Sequence, residues 1–507
     1  MEYFNSLVVL LLLVILLFNF FRDKSGLPTK WPLVGMLPGI LINVHQINEY
    51  IIQIMEKSDL TFHVTGSWFT SLNFIVTVDP TNVDHISSKS YRNYVKGPKF
   101  NEIFEFLGDG IFNTDYTLWQ YHRKLAQSYF GHPKFHSILM NKIQEEIESR
   151  LFPVLDHVAK HAIEIDLQDL FKRFTYDNIC AILMDYDPKF LSVDFPPILV
   201  SKAVTHIEEV SFLRHVMPTL IWKLLRWLGV GEKEYNNACK TLDNFIYSCI
   251  ARKREQMRTQ NEITEVNTDL LSLYMDDLEN VKTLINNDGD KFLKDTILNF
   301  FIAGGDTTSV AFSWFFYLLS VNPQVIVKIR EELKTLIIQD HDTHDDIFSR
   351  NFIENSSKLV YLHAALCEAL RLYPPVAFNH KTSVNSDVLL ASGHRVGPNT
   401  QIIFNMYAMG RMKCIWGDDC DEFKPERWIS KGGSIKLEPT YKFLAFGAGP
   451  RICQGKDMVF TQMKAVVAAI IQKYDIEAVK GHQVVPDISV VLQMKHGFKV
   501  KLSHSQY

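Results

Sequence analysis

The hydrophobic positions of this chain follow two patterns: one unbroken apolar run at the N-terminus, and helical periodicities that fill most of the remainder. Residues 3–21 include no charged side chain. After them, most apolar positions recur at the three- and four-residue spacing of amphipathic helices. Short β-branched runs such as residues 74–78 lie between the helical patterns and predict strands. We therefore expect a mainly α fold of the α+β type, rich in helices and with small β-sheets.

The N-terminal run is long enough to cross a lipid bilayer. Residues 7–18 are all apolar, and residues 3–21 would span about 28 Å as a helix. A cleaved signal peptide is the alternative, but such peptides begin with basic residues and end with small ones, unlike this run. Basic residues follow the run at Arg22, Lys24 and Lys30, and the positive-inside rule places the rest of the chain in the cytosol. We therefore predict a transmembrane anchor over residues 1–22.

A stretch rich in proline and glycine follows the anchor. Residues 27–39 alternate these two residue types with apolar ones, and this composition prevents a helix and favours a stiff, turning linker. The sequence therefore indicates a hinge over residues 23–40. The most linker-like internal stretch is residues 261–287, which are rich in Asp, Asn, Glu and Thr.

A second long apolar segment, residues 291–321, has a different character. It is nearly free of charge in its middle and ends just before Pro323, which stops a helix. As one helix it would be about 46 Å long. At its centre lie Asp306, Thr307, Thr308 and a pair of glycines, and such polar groups are costly in lipid. We therefore expect a buried central helix here rather than a second membrane span.

Composition and charge exclude several functional classes. The 507 residues include 53 basic and 57 acidic ones, for a formal charge of -4, without the basic tracts typical of nucleic-acid binding. The seven cysteines are scattered, and no C-x-x-C pair occurs, which argues against a disulfide framework and a zinc cluster. We expect no nucleic-acid partner, and we expect the body of the protein to lie in a reducing compartment.

One cysteine stands in a loop whose residue types suggest metal chemistry. The sequence F-G-A-G-P-R-I-C-Q-G occupies residues 446–455 and places Cys453 directly before a predicted helix. Phe446 could pack against a planar ring, and Arg451 suits a carboxylate. Gly449 and Gly455 would let the backbone approach a large ring closely. The helix N-terminus favours a thiolate. A buried structural cysteine is the alternative, but this spacing favours Cys453 as the axial thiolate of a haem iron.

This loop resembles the haem-thiolate signature of the cytochrome P450 monooxygenases, and four further motifs of that family follow the family's order. They are W-x-x-x-R at Trp119 and Arg123, A-G-G-D-T-T at residues 303–308, E-x-x-R at Glu368 and Arg371, and F-K-P-E-R-W at residues 423–428. With the anchor and the hinge, the resemblance covers essentially the whole chain. It implies a haem domain over residues 41–507, with haem b as its cofactor.

The resemblance also implies roles for single residues. Trp119 and Arg123 would reach a haem propionate. Thr307 would hydrogen-bond dioxygen, and Asp306 would relay protons to it from solvent.

The E-x-x-R motif has a structural role in the resembled family. Glu368, Arg371 and Arg427 would form a network that holds the cysteine loop in place and takes no part in the chemistry.

The implied reaction takes two electrons from NADPH through NADPH-cytochrome P450 reductase, cleaves O2 and inserts one oxygen atom into a C–H bond of a hydrophobic substrate. We expect a single-pass protein of the endoplasmic reticulum membrane with its catalytic domain on the cytosolic side. Lys442 and Lys456 are candidates for contact with the acidic face of a reductase. A non-catalytic haem-thiolate sensor is a remote alternative, but a sensor has no need of the proton relay that Asp306 and Thr307 would form.

The substrate is less well defined. Residues 392–396, 423–430 and 441–455 resemble the plant branch that includes long-chain fatty-acid and alkane hydroxylases. Gly305 departs from that branch, whose fatty-acid hydroxylases commonly have arginine there, and Gln454 replaces the usual apolar residue. We favour a long-chain alkane or fatty acid. The alternative is a phenol-coupling or hydroxylating P450 of plant specialised metabolism, such as alkaloid synthesis.

By the same resemblance, a mostly apolar set of side chains would line the substrate pocket, and the missing side chain of Gly305 would widen the space beside the haem. The expected lining residues are Phe100, Ile103, Phe104, Phe106, Leu107, Ile111, Phe112, Phe300, Phe301, Ile302, Val376, Phe378, Ile488 and Val491.

Overall fold

The computed structural model describes residues 26–32, 34–66, 73–259, 269–285, 288–339, 358–487 and 489–505. The predicted anchor over residues 1–22 and the first residues of the predicted hinge lie outside these ranges. Within them, no single helix is long and apolar enough to cross a membrane. One pair of consecutive helices, Gly289–Val321 and Pro323–Thr335, meets the length and composition criteria together but is bent by 107°.

Helices make up most of the described chain, as the hydrophobic periodicity predicts. In chain order the α-helices are α1 Leu37–Ile42, α2 Ile47–Lys57, α3 Pro80–Asp84, α4 Gly97–Ile103, α5 Tyr116–Phe130, α6 Pro133–Glu146, α7 Phe152–His161, α8 Leu167–Met184, α9 Leu199–Val216, α10 Thr219–Trp227, α11 Glu232–Thr259, α12 Leu270–Asp276, α13 Leu278–Val281, α14 Gly289–Val321, α15 Pro323–Gln339, α16 Val360–Leu372, α17 Met406–Met409, α18 Lys413–Trp416 and α19 Lys456–Lys473.

The strands form three small sheets. They are β1 Thr61–Thr65, β2 Asn73–Thr77, β3 Tyr94–Val95, β4 Ile165–Asp166, β5 Phe378–Ser383, β6 Asp387–Leu389, β7 His394–Val396, β8 Gln401–Asn405, β9 Tyr474–Ala478 and β10 Lys499–His504. The largest sheet has the order β1-β2-β8-β5-β3, the second has the order β4-β10-β9, and β6 pairs with β7. The β2–β8 pair is parallel, and the other pairs are antiparallel. The predicted helix-rich fold with small sheets is confirmed.

The central helix α14 is a single helix of 33 residues, most of them buried. Its first turn is capped by Asp288, whose side chain accepts a hydrogen bond from the backbone N–H of Lys291 at 3.0 Å. It packs along α8, where the ring of Phe171 stacks on Phe312 and Phe316 at centroid distances of 4.9 and 5.1 Å. The helix therefore runs through the protein core, as its sequence predicts.

The residues Glu368, Arg371 and Arg427 meet in one buried network. Two nitrogens of Arg371 donate to the two carboxylate oxygens of Glu368, each at 2.7 Å. Arg427 donates to the same carboxylate at 3.2 Å, and the indole N–H of Trp428 donates to it at 2.8 Å. Arg371 also donates to backbone carbonyls, at Gly410, Cys420 and Glu422. The network thus joins α16 to the 3-10 turn Pro425–Trp428 and to the segment before it.

Replacing Glu368 by glutamine should destabilise the protein strongly. The change removes the charge of a carboxylate that is 0% exposed and leaves the buried guanidinium of Arg371 without a carboxylate partner, at a cost of about 3–5 kcal/mol in the free energy of unfolding, whereas Arg427 keeps its ion pair with Asp419. The matched control is Glu426→Gln, because Glu426 pairs with Lys328 at 2.6 Å in a half-exposed position where a pair contributes about 1 kcal/mol or less. Urea unfolding of the two variants measures the difference, and similar shifts of their midpoints would contradict this assignment.

Candidate functional site

A cavity of about 480 Å³ lies where α14, the cysteine loop, α9 and the large sheet come together. Most of the residues predicted to line this cavity do line it, namely Phe100, Phe104, Phe106, Leu107, Ile111, Phe112, Phe300, Ile302, Val376, Phe378 and Val491. Two of the predicted residues pack in the core instead: Ile103 is 1% exposed, and Phe301 is 0% exposed against the ring of Tyr176. Ile488 lies outside the described residues.

The loop that carries Cys453 is held by its own backbone. It consists of the 3-10 turns Leu444–Phe446 and Gly449–Arg451, and it leads into α19. The backbone N–H of Cys453 donates to the carbonyl of Phe446 at 2.8 Å and closes the loop. Cys453 lines the cavity, so its sulfur is accessible from the interior of the protein.

The two glycines that we expected to contact a haem behave differently. Gly449 has a φ of +67°, and a Cβ there would lie 1.8 Å from the backbone carbonyl oxygen of Ser87. Gly449 is not among the described residues that line the cavity, and backbone packing requires a glycine there. Its contact with a haem stays a prediction. Gly455 has an ordinary φ of -84°, and a Cβ there would lie 3.8 Å from the sulfur of Cys453. No contact among the described residues requires a glycine at 455, which fits a ring that lies against the sulfur.

The surroundings of Cys453 have opposing effects on the pKa of its thiol. Removal from water raises the pKa of the Cys453 thiol, while the backbone N–H groups of Gly455 and Lys456 and the charge of Arg123 lower it. Metal coordination deprotonates a thiol outright. The N–H groups at the start of α19 are therefore placed to stabilise a metal-bound thiolate.

Positive charge accumulates at one side of the cavity. Arg123 lines the cavity, and its guanidinium has no carboxylate partner among the described residues; burial lowers the pKa of Arg123. Arg451 donates to the carboxylate of Asp115 and lies 4.5 Å above the ring centre of Trp119. The motif residues Trp119 and Arg123 are thus brought next to the cysteine loop.

Two lysines that sequence reasoning missed belong to the same region. Burial and the nearby charge of Arg451 lower the pKa of Lys96 to about 7, and burial lowers the pKa of Lys381 well below its ordinary value. Both line the cavity, and Asp115 is the acid, among the described residues, whose charge raises the pKa of both. In their protonated forms the two lysines would complement the two propionates of haem b. No sequence motif marks either lysine, because β5 and the segment before α4 meet only in the folded sheet.

The central helix brings Thr307 to the cavity and turns Asp306 away from it. The hydroxyl of Thr307 donates to the carbonyl of Ala303 at 2.5 Å. Asp306 is 0% exposed. Its carboxylate accepts the hydroxyl of Tyr176 at 3.0 Å and pairs with the ammonium of Lys172 at 3.1 Å. Both partners come from α8, and no sequence signal connected them to Asp306.

The neighbouring glycines serve the packing of α8 on α14. A Cβ at Gly304 would lie 2.4 Å from the side chain of Ile179, and one at Gly305 would lie 2.5 Å from the ring of Tyr176. The expectation that Gly305 widens the space beside the haem is therefore wrong, because Tyr176 fills that space. An arginine at 305 would collide with the same ring.

Three other residues singled out from the sequence also have defined contacts. The side-chain amide of Gln454 donates to the carbonyl of Arg123 at 2.8 Å and ties the cysteine loop to α5. Lys442 pairs with Glu438 at 3.0 Å. Lys456 lies 5.9 Å from the ring centre of Phe446. Both lysines are half-buried and close to the loop in sequence.

Comparison with known proteins agrees with this geometry. The sequence model of the cytochrome P450 family matches residues 26–502. The chain is 38% identical to alkane hydroxylase MAH1 of Arabidopsis thaliana, over 98% of each chain. It is 41% identical to noroxomaritidine synthase 1 of Narcissus pseudonarcissus, over 95% of this chain and 92% of the relative. It is 40% identical to cytochrome P450 86B1 of Arabidopsis thaliana, over 95% and 86%.

Haem b, reduced by NAD(P)H through a reductase, is the cofactor of the family that this match identifies. A match over nearly the full chain, with relatives of 38–41% identity, shows that the protein belongs to the cytochrome P450 family and is a P450 monooxygenase.

Proposed function

We propose that Cys453 is the axial ligand of a haem at which a hydrophobic substrate, held in the apolar cavity, is oxidised by O2. The observation that carries this proposal is the position of the Cys453 thiol, which faces the same cavity as Thr307 and the apolar lining. When bound, the haem supplies O2 binding and activation, and the thiolate favours O–O cleavage. Trp119, Arg123 and the nearby cations would hold its propionates.

The chain's own contribution to the reaction would be the supply of protons and the exclusion of water. Thr307 places its hydroxyl at the cavity wall. Asp306, the preceding residue on α14, holds the hydroxyl proton of Tyr176 and the ammonium of Lys172 within hydrogen-bond distance. In this arrangement Asp306 would pass protons from the α8 side of the helix to the threonine side.

The first candidate reaction is hydroxylation of a long-chain alkane or fatty acid. Most of the lining side chains are aliphatic or aromatic, and each Å² of apolar substrate surface buried contributes about 25 cal/mol. A long alkyl chain would thus be held without a charged anchor. The similarity to alkane hydroxylase MAH1 supports this candidate.

The second candidate is a phenol-coupling or hydroxylating reaction of plant specialised metabolism. The rings of Phe100, Phe104 and Phe378 line the cavity and could stack on an aromatic substrate. The identity of 41% to noroxomaritidine synthase 1 supports this candidate.

For its location we propose a single-pass anchor over residues 1–22, a hinge over 23–40 and a haem domain over 41–507 at the cytosolic face of the endoplasmic reticulum. The surface of helix α10 is consistent with a membrane close to the body of the protein. Several of its large apolar side chains are exposed, namely Leu220, Ile221, Leu224 and Trp227. NADPH-cytochrome P450 reductase would contact the cysteine side, with Lys442 and Lys456 as candidate contacts.

Cys453→Ser should abolish the spectral signature of thiolate ligation. The reduced carbon monoxide adduct of the wild-type protein is expected to show the long-wavelength Soret band that a thiolate ligand causes, and serine cannot supply that ligand. Cys414→Ser is the control, since Cys414 is an exposed cysteine outside the cavity lining. A band that survives in Cys453→Ser would show that the iron ligand lies elsewhere.

Thr307→Ala should separate electron consumption from product formation. Without the hydroxyl, the cavity wall loses the proton donor at position 307, so product per NADPH consumed should fall by at least about tenfold while haem content stays unchanged. Thr307→Ser retains the hydroxyl and should retain most of the coupling. Equal coupling in the alanine and serine variants would remove Thr307 from this role.

Product mass from a reconstituted assay distinguishes the two candidate reactions. With purified reductase, NADPH and O2, a hydroxylated alkane or fatty acid gains one oxygen atom, whereas a coupled phenolic amine loses two hydrogen atoms. We expect the gain of oxygen. Turnover of the phenolic amines alone from a panel that also contains alkanes and fatty acids, with loss of two hydrogen atoms or gain of one oxygen atom, would favour the second candidate.

A further inference from the structure

A single carboxylate interrupts the apolar lining of the cavity. Helix α9 presents Glu208, Phe212 and His215 to the cavity, at the i, i+4 and i+7 spacing of one helix face. Glu208 is 2% exposed. Among the described residues that line the cavity, it is the one acidic side chain. A buried carboxylate in such a wall is costly unless something pairs with it.

The described residues donate hydrogen bonds to only one of the two carboxylate oxygens of Glu208. Oε2 accepts the side-chain amide of Gln493 at 3.1 Å and the hydroxyl of Ser489 at 3.4 Å. Oε1 has no hydrogen-bond donor in the part of the chain that the structure describes. The carboxylate is thus fixed on one side by the segment that contains Ser489 and Gln493, and its other oxygen remains available.

Among the described residues, the cation that faces Glu208 is already paired with another carboxylate. The titratable groups that face Glu208 are Asp306 on α14, and Lys172 and Tyr176 on α8. The ammonium of Lys172 pairs with Asp306 at 3.1 Å and donates to the hydroxyl of Thr205 at 2.8 Å. Two carboxyl groups therefore share one ammonium group. Burial and the charge of Asp306 raise the pKa of Glu208 well above its ordinary range, so a proton or a second cation must balance it.

The other charged groups of the cavity have the opposite sign. Lys96, Arg123, Lys381 and Arg451 all line it, and they would be matched by haem propionates. A cationic group of the substrate would be repelled by these groups and attracted by the ionised Glu208. The charges of the cavity would therefore orient that group towards Glu208.

We propose that Glu208 binds a protonated amine of the substrate, so that this enzyme acts on hydrophobic primary or secondary amines. The inference rests on the proposed function, because it takes the apolar cavity as the substrate site. For hydroxylation it implies a long-chain amine in place of the alkane or fatty acid, and for coupling it implies a phenolic amine. The ammonium replaces the proton of Glu208, donates to Oε1 and leaves the rest of the molecule against the apolar wall. Glu208 acts in recognition and does not take part in oxygen chemistry.

A series of ligands with equal chain length and different charge tests the proposal. Dodecylamine, dodecanol and dodecanoate are titrated into the haem-loaded full-length protein and followed by the ferric Soret band and by calorimetry. We expect the amine to bind more tightly than the alcohol and the acid. In Glu208→Gln the affinity for the amine should fall by at least about tenfold, because a charge-assisted hydrogen bond is lost, while the affinity for the alcohol changes little.

The control is Glu209→Gln, the same substitution one position along the same helix. Glu209 is half-exposed, has His206 as its ion-pair partner at 4.0 Å and does not line the cavity. It should leave all three affinities unchanged. A structural role of Glu208 alone, in holding the segment of Ser489 and Gln493, would instead weaken all three ligands equally in Glu208→Gln and would overturn the proposal.

The pH dependence gives a second readout. Because Glu208 must lose its proton before it can pair with an ammonium, the affinity for dodecylamine should rise with pH while the amine itself stays protonated, and binding should release a proton. Calorimetry in buffers of different ionisation enthalpy measures that proton. Dodecanol should show neither effect, and Glu208→Gln should abolish both.

Three further outcomes separate this inference from the proposed function. If the amine nitrogen coordinates the iron, the Soret band moves to longer wavelength than a substrate-type shift, and the amine is then not at Glu208. If alkanes are hydroxylated and the three ligands bind without regard to charge, the proposed function holds and the role of Glu208 is refuted. If no ligand alters the ferric spectrum of the wild-type protein, the cavity is not the substrate site and both fail.

Discussion

The close approach of α8 to α14 is the constraint on which the site depends. Gly304 and Gly305 carry no side chain, so Ile179 and Tyr176 occupy the positions where Cβ atoms would stand. This contact fixes the rotation of α14, and consecutive residues on a helix point about 100° apart. As a result Thr307 faces the cavity while the preceding residue faces the polar groups of α8. A side chain added at Gly305 would meet the ring of Tyr176, so it would separate the helices and disturb both sides together.

Local patterns allowed much of this fold and site to be predicted. The residues of the cysteine loop, the E-x-x-R pair and the central helix are close in sequence or fixed by a motif, so their relation follows from chain geometry. Lys96 and Lys381 could not be found in this way, since they meet through strand pairing between distant segments. Glycines were the least reliable guide: a motif shows that a side chain is excluded at Gly449 or Gly305 without showing which atoms exclude it, and both proved to contact protein.

The polar groups of the cavity fall into two sets with different surroundings. The cations near the cysteine loop outnumber the acids near them, whereas on the α9 side Glu208 and Asp306 share one lysine. Burial lowers the pKa of Lys96 and Lys381 and raises the pKa of Glu208, so each set would be fully charged only when a group of opposite sign from outside the chain pairs with it. An interior of this kind discriminates between ligands by sign of charge as well as by shape, because the cost of an unmatched charge in such surroundings exceeds that of a poorly filled void.

The contact between Gly449 and Ser87 extends the influence of the signature loop to a remote part of the chain. The π-helical turn His85–Lys89 abuts the loop through backbone atoms. The same turn is anchored to β6 by His85, whose ring lies 2.8 Å from a carboxylate oxygen of Asp387. Substitutions in these two segments would displace the loop backbone and, with it, the N–H groups that face the sulfur. Natural variation more than three hundred and fifty residues upstream of Cys453 would therefore offer a way to tune its electron donation while every residue of the signature stays the same.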